Sequence, residues 1–205
     1  MSWSQQVMNG LETVFRTFDF AKHISDEVLR AAEGRGLSSF EYATTFKGEV
    51  AAIPRWWLLG ITRGDDEVVK NGRGKVADWM AANGGVEPEV PMGVVYLCFW
   101  HNRASDLSPL LPPQVLTGAG TITFREWGQA HAFTGGHLWE LGVALNDRRR
   151  DGDLGGLGTQ PTKHLRLSED FAWRPIVSLE SLDDGQKIRD LANNTAEFIA
   201  EKVGQ

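Results

Sequence analysis

Residues 98–140 hold three of the five histidines in this chain of 205 residues: His101, His131 and His137. Asp106, Arg125, Glu126 and Glu140 share the same stretch, as do Trp100, Trp127 and Trp139. Histidine exchanges a proton near neutral pH, and a carboxylate on one ring nitrogen fixes the tautomer and orients the ring. The chemistry these residue types suggest is acid–base or hydrolytic. One of His101, His131 or His137 acts as the base, with Glu126 or Asp106 orienting it. Arg125 and the rings of Trp100, Trp127 and Trp139 would line the ligand pocket, since aromatic walls with a few placed polar groups are typical of such pockets. A variant has two histidines and a carboxylate holding a divalent metal that activates water. No other cofactor is called for.

Local geometry constrains these roles. Arg125 and Glu126 are adjacent, so on a strand they point to opposite faces and only one can enter a given pocket. His137 and Glu140 are three apart, which makes them neighbours on a helix but not on a strand.

Other chemistries find little support. The chain has no G-x-S-x-G elbow, no P-loop, no H-E-x-x-H and no C-x-x-C pair. Gly72-Arg73-Gly74-Lys75-Val76-Ala77 fits a dinucleotide fingerprint, which needs a buried strand before it. Glu67–Lys70 is too short and charged for that, so the glycines read as a kink or turn. A metal-dependent nuclease would need a lysine two positions beyond Glu126, where Gly128 stands. Arg148-Arg149-Arg150 lies among Asp147, Asp151 and Asp153 and reads as a self-neutralised turn.

The net charge is −6, with 21 basic and 27 acidic side chains spread evenly along the chain. Phosphate neutralisation supplies much of nucleic-acid affinity, so this balance argues against a nucleic-acid partner. The single cysteine, Cys98, lies in an apolar run and reads as a core residue. Met1–Asn9 lacks a secretory apolar stretch, and no segment approaches the roughly 20 apolar residues that span a bilayer. A cytoplasmic protein without a membrane partner is the expectation.

The elements that must position the candidate residues follow from periodicity. Trp3, Val7, Leu11, Val14, Phe15 and Phe18 recur at helical steps. The pattern breaks after Asp19, and Ser25 with Asp26 and Glu27 suits the start of a second helix. In residues 38–53, Ser38 and Glu41 make a capping-box pattern, so a helix is expected, although Phe40, Tyr42 and Thr44 also alternate. Arg55–Thr62 reads as a strand. Gly64–Glu67 opens a helix that Asn83-Gly84-Gly85 ends. Met92–Trp100 is apolar at nearly every position and reads as a strand covered on both faces. Thr121–Trp127 reads as a half-exposed strand, with Ala130–Phe133 as a hairpin partner. His137–Leu145 fits either a strand or a short helix. Residues 146–162 read as a mobile surface loop rich in Gly, Arg and Asp. Lys163–Leu167 and Phe171–Leu179 are further strands, and Asp183–Val203 is a helix.

Helices, then mostly strands, then a helix argue for an α+β fold. The expected architecture is one globular domain over residues 1–205, with a mainly antiparallel sheet of about five or six strands packed against N- and C-terminal helices. The expected function is a small-molecule-binding protein or enzyme with a pocket lined by aromatics and histidines. The alternative is a non-catalytic interaction module of the immunity, adaptor or inhibitor type, with a protein partner. The first requires the candidate side chains to converge. The second requires an exposed apolar patch, for example around Trp56 or Trp57. The sequence leaves the oligomeric state open.

Overall fold

A computed structural model describes residues 3–45, 54–63, 76–98, 114–125, 135–150 and 158–204. Helix α1 runs over Trp3–Glu33 and is followed by strands β1 (Leu37–Thr45) and β2 (Pro54–Arg63). Helix α2 (Val76–Ala82), strands β3 (Glu89–Cys98) and β4 (Gln114–Phe124) and helix α3 (Gly135–Arg150) come next. Three short strands, β5 (Leu165–Leu167), β6 (Ala172–Trp173) and β7 (Val177–Ser178), precede helix α4 (Gly185–Val203). The expected α+β class holds: β1 to β5 form a continuous antiparallel order, and β6 and β7 also pair with β4.

Where two N-terminal helices were expected, there is one. Ala21, Ile24, Ser25, Val28 and Ala32 form an inward stripe through the supposed break, all with no exposed surface. A cap at Ser25 is worth about 1 kcal/mol. Burying Ile24 and Val28 is worth roughly 1.5–3 kcal/mol each, so the packed helix wins. Lys22 also pairs with Asp26 across the junction, at 3.1 Å.

The helix expected over 38–53 is a strand through Thr45. β1 pairs with β2 from Leu37↔Arg63 to Thr45↔Pro54. The local capping-box signal loses to a long cross-strand ladder.

β2 and β3 run through the middle of the sheet, and successive side chains enter opposite cores. On one face, Trp57, Leu59, Ile61, Val95 and Leu97 pack with α1 and α4. On the other, Trp56, Leu58, Val94, Tyr96 and Cys98 pack with α3 and Val76 of α2. The two-sided burial read from the apolar run of β3 is therefore present, and Cys98 is a buried free thiol.

β4 begins seven residues before the Thr121 start that its sequence suggested. Gly118 and Gly120 obscured it, because glycine weakens a strand signal. Here glycine permits close approach. A Cβ at Gly118 would strike the Trp173 ring, and one at Gly120, whose φ is +155°, would strike Phe171. β5, β6 and β7 are successive pieces of one interrupted edge along β4, and Phe171 and Trp173 lie over the two glycines.

The segment 137–145, open between strand and helix, is helical. Asn146–Arg150, read as the start of the loop, complete α3. Asp184 caps α4 by accepting from the backbone N–H groups of Gln186 and Lys187, at 2.7 and 2.9 Å. The Arg63 guanidinium donates to the Gly204 carbonyl and ties the end of α4 to β2. Among the described residues, no helix is long and apolar enough to cross a membrane.

Candidate functional site

The site is built where β4 ends, β5 begins and α3 starts. Phe124 pairs with Leu165, which sets Arg125 opposite His164. The Arg125 N–H donates to the His164 carbonyl at 2.8 Å and carries the ladder one residue further. The Arg125 carbonyl in turn accepts from His137 Nε2 at 2.8 Å. A carbonyl can only accept, so His137 holds its proton on Nε2 in this contact. The His137 ring is buried and meets Phe124 edge to face, with ring centres 5.3 Å apart.

Helical spacing then places Glu140 one turn beyond His137, on the same side of α3. Its carboxylate meets His164 Nδ1, with Oε1 at 3.3 Å and Oε2 at 3.2 Å. The backbone N–H of His164 donates to Thr162 Oγ1 at 3.3 Å. Unlike His137, the Glu140 and His164 side chains reach solvent, with 21% and 24% of their surfaces exposed. The pair is thus held by two elements and remains partly open to solvent.

Arg125 contributes its main chain to this arrangement, while its side chain is engaged elsewhere. Its Nε donates to Glu87 Oε1 at 3.2 Å, and Arg166 approaches the other Glu87 oxygen at 3.9 Å. Strand alternation puts these guanidinium groups on the far side of β4 from Phe124. Glu87 thus faces both guanidinium groups and offsets part of their charge.

Of the candidate residues from the sequence, the structure brings Arg125 and His137 together. Trp139 is next to Glu140 on α3 and is 39% exposed. His101, Glu126 and His131, with Trp100 and Trp127, lie outside the described residues, as does Asp106. Among the described residues, no three His, Cys, Asp or Glu side chains gather as a metal-binding group.

His164, Glu87 and Arg166 were not singled out by sequence. Nothing local marks His164, which is 24 residues from Glu140. Register supplies part of the signal: once β4 and β5 pair through Phe124 and Leu165, the His164 backbone sits beside Arg125. No protein-family model, curated protein or solved structure matches this chain.

Proposed function

We propose that the protein binds a small molecule where β4, β5 and α3 meet, and that His164 acts there as a general base oriented by Glu140. The observation that carries this reading is the contact of His164 Nδ1 with both Glu140 oxygens, in a pair that remains accessible to solvent. A carboxylate can only accept, so it holds the ring proton on Nδ1 and puts the neutral ring's lone pair on Nε2. Nε2 can then take a proton from water or a hydroxyl group, and Glu140 steadies the imidazolium that forms. The same proton can pass to a leaving group. Hydrolysis of a small ester fits this sequence of transfers, and a positioned acid–base group contributes roughly 10²–10⁴-fold to such a rate.

The interaction-module alternative looked to a patch at Trp56 or Trp57. Both rings are buried, on opposite faces of the sheet. Met8, Val86, Trp139 and Ile176 are exposed on separate parts of the chain. The acid–base reading therefore rests on the more specific arrangement.

A panel of p-nitrophenyl carboxylate esters tests it. The wild type should turn over at least one ester, and His164→Gln should slow it by about 10²-fold or more. Equal rates in the two proteins across the whole panel would contradict the reading.

A further inference from the structure

We infer that His137 is a positioning residue that sets the tautomer and orientation of His164 through the Arg125 backbone. This deepens the acid–base reading above and rests on it for its catalytic consequence. The contacts form a closed circuit. Glu140 holds the His164 ring, the His164 carbonyl accepts from Arg125 N–H, and the Arg125 carbonyl accepts from His137 Nε2. One turn of α3 joins His137 back to Glu140.

Each member of the circuit constrains the next. Glu140 reaches His164 only if the start of α3 keeps its distance from the end of β4. A buried imidazole at 2.8 Å from the Arg125 carbonyl fixes that distance, and the edge-to-face contact with Phe124 fixes the ring itself. The Arg125 N–H then places the His164 backbone, from the same peptide-bearing residue that His137 holds. Hydrogen-bonded networks of this kind couple their members more strongly than separate pairs do. The arrangement also gives the two histidines separate roles. His137 is buried and donates to a carbonyl, whereas His164 is accessible and faces a carboxylate.

The experiment reads the His164 ring directly, by long-range proton–nitrogen NMR of the full-length protein at a pH where imidazoles are neutral. The wild type should show His164 with its proton on Nδ1. His137→Phe keeps the ring's bulk and its packing on Phe124 but removes the donor. In it, His164 should shift toward the Nε2–H form that imidazole side chains prefer in water. His137→Gln, whose amide nitrogen reaches about as far as Nε2, should restore the wild-type tautomer. If His137→Phe does not fold, the smaller His137→Leu takes its place. A purely structural role for His137 would lower the melting temperature and leave the tautomer alone. An unchanged His164 tautomer in the folded variant, or failure of His137→Gln to restore it, would overturn the inference. The result does not depend on ester turnover. Absence of catalysis, with the tautomer responding as expected, would therefore count against the acid–base reading and leave the positioning role standing.

Discussion

The two faces of the sheet are closed in different ways. On one, α1 and α4 lay small and aliphatic side chains against β2, β3 and β4: Ala21, Ile24, Val28, Ala192, Ala196 and Ile199. Gly93 leaves room for Ile199 there, since a Cβ would collide with the Ile199 side chain. On the other face, the sixteen-residue helix α3 leans on Trp56, Val76 of α2 packs into the same core, and Phe171 and Trp173 fold over the glycines of β4. Only this second face carries the polar circuit of His137, Arg125, His164 and Glu140 at its end. The first face is packed with small and aliphatic side chains, and the second positions a helix whose first two turns carry His137 and Glu140.

Substitutions on the two faces should therefore differ in kind as well as size. Ile199→Ala opens a cavity in the first core and should cost about 2–5 kcal/mol, read by denaturant unfolding. In the protein that remains folded, the His164 NMR signals should be unchanged. Gly142→Ala drives a methyl into the Trp56 ring. It should cost about 1–3 kcal/mol as an overpacked site. Unlike Ile199→Ala, it should also move α3 and disturb the His164 ring signals. Equal disturbance from both variants would erase the distinction between the faces.

Glu140→Gln should change stability by about 1 kcal/mol or less, because both partners of the contact meet solvent. Its effect should appear at His164, where a neutral amide no longer dictates which ring nitrogen carries the proton. A large stability loss with an unaltered His164 ring would make the pair a structural clamp and nothing more.

The smallest effect is expected at the start of α4. Lys187 hydrogen-bonds Asp183, which lowers the Asp183 carboxyl pKa and raises that of the Lys187 ammonium. The lowered carboxyl contributes stability above its unfolded value, and that contribution is lost as pH falls through its folded value. The raised ammonium contributes below its unfolded value and loses that contribution as pH rises through its folded one. Around neutrality both contributions are present, but solvent screens the exposed pair. Lys187→Met should therefore shift the melting temperature by no more than about 1 °C there. A larger shift would show that solvent screens the pair at the helix start less than its exposure implies.

How much of this was legible in the sequence follows the same contrast. The cohesive face was largely readable, because helical stripes and the apolar run of β3 repeat with fixed periods over many residues. The local signals misled where a nonlocal contact outweighed them. Ser25 looked like a cap inside what is a continuous α1, and Ser38 with Glu41 looked like a capping box in what is β1. Gly118 and Gly120 hid half of β4 because their reason, the rings of Phe171 and Trp173, lies more than fifty residues further on. The site was half visible. His137, Arg125 and Glu140 fell in the stretch that drew attention, and helical spacing tied His137 to Glu140. His164 could not be tied to them, since only the pairing of β4 with β5 brings it there.

The most direct test of the central claim is a double-mutant cycle on ester turnover with His164→Gln, Glu140→Gln and the combined variant. Residues that act as one unit are strongly non-additive. Glu140→Gln should slow turnover markedly, and the double variant should be no slower than His164→Gln alone. If the two losses multiply, or if Glu140→Gln turns over esters at the wild-type rate, then Glu140 and His164 do not work as a pair.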